Sequence, residues 1–504
     1  MKVSFFILML GLIGCTSLGP KVQRLPASQF PFISTDLLQS TIELRSFLEQ
    51  EKINSSVCED SLTEAYDFLA NLDSDFFRVD YSAEDYQMIL TNLWKVRTSL
   101  RSHSQSWSSS GELSPECSKA IKDINRAFRY LDDYAGLNYL QLKGHSITGF
   151  ENEDKSAMFS RSFPWSATTQ LSFDSKSDLK TGDVLLWRST STVSAAIARI
   201  GDVQNSFAHL SVIYVDPKTR KRYNIESLIE TGLIVSEFDE AKLHPGVSKL
   251  VVYRHKDSDV AERAGKYVFD LAQKTQKHKD RLRYDFNFNL TDHETVFCSE
   301  VVHMAFKYGS NGSLVLPTYG TQFNMKNRSF LQAIGADIEE AFQPGDIELE
   351  PNFELVAEWR NFHHAKYNHL MDAIFMSMYQ WMDDHDYNFK WTFRGRVLGS
   401  FVFGLRHTPL VGLFLKDLIS DNITRQTISA VISADQVAIT IHKDMVKRLN
   451  RKSENKIYSF KELLTELEAY RLQDLAHLKR QALENKQGQA YHDPRFHHRF
   501  GPKL

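Results

Sequence analysis

Cysteine is scarce in this chain, and long apolar runs are missing. Of its 504 residues four are cysteine, at 15, 58, 117 and 298, too far apart to form the close pairs of a structural zinc site. No phosphate-cradling glycine loop and no dinucleotide fingerprint occurs, so neither a metal nor another cofactor is expected. The formal net charge of -3 gives no basic surplus for a nucleic-acid partner. A membrane-spanning helix needs ~20 consecutive apolar residues. Val3 to Ile13 falls well short of that, and the apolar stretch from Gly399 to Phe414 is interrupted by Arg406, His407 and Pro409, which favours a packed helical hairpin. There is no internal repeat. A hydrophobic content of 42% is ample for the cores of two or three domains.

The N-terminus has a short positive start, Met1-Lys2, an apolar run, and "LIGC" at residues 12 to 15. This is the shape of a secretory signal. It resembles the lipobox of bacterial lipoproteins, which implies cleavage before Cys15 and acylation of that cysteine. Thr16 follows in place of the aspartate associated with inner-membrane retention, so the expected location is the outer membrane, facing the periplasm. An ordinary cleaved signal peptide is the alternative. Export places the other cysteines where disulfides persist. Cys58 and Cys117 then either pair, leaving Cys298 as a free thiol, or all three stay unpaired and buried.

The chain divides by pattern. Residues 16–32, punctuated by proline, read as a tether after the signal at 1–15. Residues 33–150 read as a helical bundle, with a capping box at Ser82 and Asp85 and with Pro115 in a first turn. Between 165 and 325 short strand-like runs such as "LKTGDVLLWRS", "FAHLSVIYVD" and "VSKLVVYRH" alternate with glycine and proline turns, and an amphipathic helix follows at 259–275. Together these predict an α+β fold with a small antiparallel sheet, flanked by N- and C-terminal helical domains. Residues 345–490 are expected to be helical. "FELVAEWRNFHHAKYNHLMDAIFMSMYQWMDD" reads as one long helix, and the charged "FKELLTELEAYRLQDLAHLKRQALENK" as a helix projecting into solvent. Residues 491–504 read as a mobile tail.

"TVFCSEVVHMAF", residues 295 to 306, places Cys298 at the mouth of a helix. There the helix dipole and free backbone N–H groups lower a thiol pKa, and the same N–H groups can hold an oxyanion. A base is available in His209, on one face of the strand "AHLSVIY". Glu226, in the apolar setting of "NIESL", offers a carboxylate to orient the ring. Asp183 follows a turn glycine and reads as a turn cap. His303, five residues after the cysteine, points away from it, whereas His293 and Glu294 sit where they would shape access. His363, His364 and His369 lack the spacing of a ligand pair on a helix and read as solvated face residues.

In order and spacing, "TGDVLLWR", "AHLSVIY", "NIESL" and "YDFNFNLTDHETVFCSEVV" resemble the circularly permuted branch of the NlpC-type papain-like hydrolases, the YiiX/YebB-like cysteine hydrolases. The likeness covers about residues 175 to 320, and the histidine precedes the cysteine, as in that branch. It implies a permuted papain-like domain and a triad of Cys298, His209 and Glu226, with the Cys298 N–H contributing to an oxyanion hole. Tyr284 and Trp187 are candidate substrate-binding residues. Tyr284 also fits a core position, and Trp187 is larger than the aromatic residue the family would place there. The implied reaction is acyl transfer to water through a thioester. Periplasmic location and the parent family point to amide bonds of cell-wall peptides. Permuted relatives of the lecithin:retinol acyltransferase type point instead to lipid acyl groups. A non-catalytic binding or scaffold protein, with the helical extensions meeting a partner, is the third reading.

Overall fold

The computed structural model describes residues 36–49, 55–74, 81–144, 165–168, 178–201, 205–238, 246–276, 281–291, 294–336, 338–390, 424–453, 456–486 and 495–502. Cys15, the tether, His293 and the expected hairpin at 399–414 lie outside them. No described helix is long and apolar enough to cross a membrane.

The N-terminal bundle forms as its caps dictate. Helix α1 (Leu37–Leu48) starts at Asp36, whose carboxylate accepts from the N–H groups of Leu38 and Gln39. Helix α2 spans Ser56–Ala70. Helix α3 (Ala83–Ser110) opens on the Ser82–Asp85 capping box and ends at Gly111, whose φ of 74° suits a residue without Cβ. Helix α4 (Pro115–Leu142) is capped by Ser114, with proline in its first turn. Leu44, Ile89, Leu93, Ile124 and Phe128 are buried between them. Cys58 and Cys117 are disulfide-bonded across α2 and α4, with Cα atoms 5.4 Å apart.

Seven antiparallel strands make the central sheet: β1 (Trp165–Thr168), β2 (Val184–Ser189), β3 (His209–Val215), β4 (Arg222–Leu228), β5 (Gly232–Glu237), β6 (Val247–His255) and β9 (Phe353–Arg360), in the order β1-β9-β6-β2-β3-β4-β5. Alternation along the strands gives the sheet two apolar faces. Val184, Leu186, Val212 and Val251 pack with Val268 of α6 (Ser258–Thr275) and Val302 of α7 (Cys298–Gly309), while Leu185, Trp187, Ile213 and Trp359 share the opposite face. Helix α5 (Thr192–Arg199) follows β2. Beyond α7 come the two-residue pair β7 (Thr321–Gln322) and β8 (Glu340–Ala341), with α8 (Ser329–Ile334) between them.

The C-terminal region departs from its expected form in four places. Phe353–Arg360 is a strand, not the start of a helix: it pairs with β6 from Lys249 to His255 and with β1. Helical spacing begins only at Ala365, after a 3₁₀ turn at Phe362–His364 entered through Asn361, and runs through α9 (Ala365–His385). Phe353, Leu355, Ala357 and Trp359 alternate with Glu354, Glu358 and Arg360, a strand pattern masked by the helical run that follows it directly, and Glu358 and Arg360 face ionic partners rather than water. Secondly, His363, His364 and His369 are buried, not solvated. Thirdly, the charged helix, α11 (Phe460–Lys486), does not project: Leu463, Leu467 and Tyr470 are buried in the same core as α9 and α10 (Arg425–Lys452). Finally, the described part of the tail is docked. Phe496, His497 and Phe500 are fully buried, and the strand β11 (Phe500–Gly501) pairs with β10 (Asn388–Phe389). Asp474 on α11 accepts the backbone N–H groups of Arg495, Phe496 and His497 and so ties the tail down.

A buried ionic network joins the bundle to the sheet. Arg97 on α3 donates to Asp132 on α4 at 3.0 Å and to Glu358 on β9 at 2.5 Å. Arg360 donates to Glu358 at 2.7 Å and to Asp133 at 3.0 Å, and Lys249 on β6 reaches Asp133 at 2.8 Å. Burial alone would raise the Glu358 pKa, but Arg97, Arg360 and Arg129 outweigh it and hold the carboxyl well below the usual range. Removing one partner leaves buried charge without compensation. Glu358→Ala is therefore expected to cost about 3–5 kcal/mol in urea unfolding; a loss below about 1 kcal/mol would show that the network does not hold the bundle to the sheet.

Candidate active site

Strand pairing sets the position of the thiol. The β3–β4 ladder runs from Val215↔Arg222 to Val212↔Ile225 and stops, whereas β3 stays paired with β2 down to His209. The segment leading into α7 fills the gap. Ser227 Oγ on β4 donates to the Val296 carbonyl at 2.6 Å, and the Val296 N–H donates to the Arg283 carbonyl at 2.8 Å. The Leu210 N–H, without a strand partner on that side, donates to the Cys298 thiol. Phe297 is extended, and its N–H donates to Glu300 at 3.3 Å, which starts α7 at Cys298. Cys298 is the free cysteine among the described residues, and it is buried.

His209 and Glu226 meet it there. The His209 Nε2 lies 2.7 Å from the Glu226 carboxylate, and the ring is also hydrogen-bonded to the Cys298 thiol. With Nε2 committed to Glu226, Nδ1 is the nitrogen left for sulfur. The His209 side chain is 22% exposed and that of Glu226 5%, so the carboxylate is the more deeply held of the two. Burial by itself disfavours both charges of a thiolate–imidazolium pair. For His209 the Cys298 and Glu226 interactions outweigh burial and push its pKa up to about 10. For Cys298 burial pushes the thiol up, but the His209 hydrogen bond and charge, the Leu210 N–H and the Ser299 hydroxyl bring it below the ordinary value. The two directions agree: the pair favours the ionised form.

The other candidates separate. Tyr284 is buried against Phe286 and lines the cavity beside Cys298. Its hydroxyl is pushed well above the usual range, first by burial and then by neighbouring Cys298 and acidic charge. Trp187 corrects the expectation set for it: it is packed on the sheet face with Leu185 and Ile213, its Nε1 donates to Ser211 Oγ at 2.8 Å, and it does not line the cavity. Asp183 accepts the Lys180 N–H at 2.8 Å and both 2.7 Å bonds from Arg254, as a turn cap. The His303 ring lies against the Leu316 carbonyl. Glu294 is exposed. Among the described residues no group of three or more His, Cys, Asp or Glu is placed to hold a metal.

The cavity itself is not legible in the sequence. It spans about 900 Å³, open solvent at its mouth included, and Cys298 and Ser299 form part of its wall. The rest is almost wholly apolar, drawn from α5, the aromatic run Phe286, Phe288 and Phe297, and helices α8, α9 and α10. Asp435 is the one charged residue among the described residues of this wall. Only the alternating phenylalanines of "YDFNFN" were a sequence signal for it.

Residues 178–332 match the family of permuted papain-like amidase enzymes, YaeF/YiiX, C92 family. This segment is a permuted papain-like cysteine hydrolase domain. No curated protein and no solved structure matches the chain. The match begins before β2 and ends within α8, so β1 and β9 complete the sheet, and α9 and α10 the cavity, from outside the matched segment.

The pKa directions make a prediction for the thiol. Alkylation of Cys298 by iodoacetamide is expected to plateau at lower pH than that of an ordinary thiol, whose reference pKa is ~8.5, and to slow and shift upward in His209→Ala. A rate that rises only above ~8.5, equal in both proteins, would exclude the ion pair.

Proposed function

We propose that Cys298, His209 and Glu226 act as the catalytic triad of an amidase-type hydrolase whose substrate presents an apolar acyl group. The observation that carries this is the junction of the hydrogen-bonded trio with a cavity that is almost entirely apolar. The Cys298 thiolate attacks the acyl carbonyl, and the negative oxygen that forms is held by the Cys298 N–H at the start of α7. The His209 imidazolium gives its proton to the leaving amine as the C–N bond breaks, and a thioester remains. Neutral His209 then takes a proton from water, whose oxygen attacks the thioester, and the carboxylic acid leaves as the thiol regains its proton. Glu226 keeps the ring oriented and favours its charged form throughout.

A cell-wall peptide fits this cavity less well, because such peptides carry carboxylates and the described wall offers no cation. Apolar acyl amides gain from burial there. The lipobox-like start and Cys15 support anchoring at the outer membrane, where acyl substrates are concentrated. The Cys58–Cys117 disulfide supports an exported protein, because such bonds persist in oxidising compartments.

The test is hydrolysis of an acyl anilide by the purified chain. Cys298→Ala is expected to abolish turnover with an unchanged melting temperature, and full activity in that variant would end the nucleophile assignment. Glu226→Gln is expected to lower kcat on the order of 10²- to 10⁴-fold. Because Glu226 raises the His209 pKa, the alkaline limb of the pH–rate profile, near 10 in the wild type, moves to lower pH in this variant. An unmoved limb would remove Glu226 from the triad.

A further inference from the structure

We infer that helix α10, together with Phe375 of α9, is the selectivity wall of the Cys298 cavity and sets the length of the apolar group it admits. The inference rests on the acyl reading above and adds which residues measure the substrate. The thiol end of the cavity is built by the papain-like domain, from Tyr284 through Ser299. Val431 and Ala434 on α10 and Phe375 on α9 also line it, and all three lie beyond the residues that match the hydrolase family.

The wall is small where it needs to be and fixed in place. Ala196 on α5 and Ala434 on α10 both line the cavity, and a large side chain at either would fill space that is now open. On α10, Ala430, Val437 and Ile441 are fully buried in the C-terminal core, so the helix cannot roll without exposing them. Polar bonds fix the cavity's walls further. Thr192 on α5 donates to Asp435 on α10, Tyr379 on α9 donates to the Ala196 carbonyl at 3.3 Å, and Thr427 on α10 donates to the Ile334 carbonyl at 3.4 Å. A wall that cannot retreat turns side-chain volume at 434 and 375 directly into accepted chain length.

The experiment uses alkyl methanethiosulfonates, from methyl to decyl, on the full chain with Cys298 as the target. The thiolate attacks the sulfenyl sulfur, a mixed disulfide forms and methanesulfinate leaves, so no turnover is needed. In the wild type the rate is expected to rise up to about fourfold per methylene, the equivalent of ~0.8 kcal/mol for each CH₂ buried, and to break at the length that fills the cavity. Ala434→Phe should move the break to a shorter chain, Phe375→Ala to a longer one, and Ile439→Ser, on the exposed side of α10, should leave it in place. If Ala434→Phe does not fold, Ala434→Leu makes the same test. A flat series in the wild type, or a break that neither cavity variant moves, overturns the inference. Failure of the triad reads out separately, as a slow reaction with the methyl reagent that His209→Ala does not change, while the dependence on chain length still decides the wall.

Discussion

The site depends on a place where a sheet stops being a sheet. Strands β3 and β4 pair only as far as Val212 and Ile225, and the turn into α7 occupies the space beyond. A continued ladder would have spent the Leu210 N–H on β4 and closed the gap against Cys298. Because the ladder ends, one backbone donor is turned onto sulfur, a strand histidine is left beside the thiol, and a carboxylate from the neighbouring strand stands within 2.7 Å of its ring. Rigid backbone on both sides holds the trio in register, which is the condition for proton transfer over one hydrogen bond.

The electrostatics follow from this geometry. A buried thiolate and a buried imidazolium are each unfavourable alone, since burial acts against either charge. Placed in contact they stabilise one another, and Glu226 adds a further negative charge on the far side of the ring. The Leu210 N–H and Ser299 hydroxyl then offer the sulfur donors that water would otherwise supply. The ionised pair is thus favoured by specific neighbours rather than by exposure, in keeping with a thiol that is itself buried.

Much of the local chemistry could be read from residue types. A cysteine opening a helix, a histidine on a strand and a carboxylate in an apolar strand are conspicuous in sequence, and so are the cap at Ser82 and the first-turn proline Pro115. Anything decided by long-range pairing leaves no such local mark. Phe353–Arg360 reads as helical because it runs straight into the helical stretch behind it, although Phe353, Leu355, Ala357 and Trp359 alternate with Glu354, Glu358 and Arg360; only the cations and carboxylates of α3, α4 and β6 explain charged residues on a buried strand. The same cause hid the histidines near residue 365 and the docked tail, whose polar residues satisfy one another inside a core. The small residues of the cavity wall, Ala196 and Ala434, carry no local signal at all, because an alanine facing a void and an alanine facing a neighbour are identical in sequence.

The ionic contacts bear on the cavity as well as on stability. Asp372 on α9 accepts from Arg188 on β2 and from Arg199 on α5, and these two guanidinium groups hold its carboxyl down at about 2 although burial pushes the other way. Asp372 lies three residues before Phe375, Arg188 is on the strand that pairs with His209, and α5 carries Ala196. Buried ion pairs contribute little net stability relative to apolar packing, but they are directional and strongly resist displacement once formed. One carboxylate therefore fixes three elements against each other: the strand beside the base, the helix on one wall of the cavity and the helix on the next. Apolar packing resists separation of these walls, and the ion pairs add a directional constraint to it. The Asp372 pairs make the distance between the base and the walls a property of the fold, and that is the condition under which a cavity can select by length.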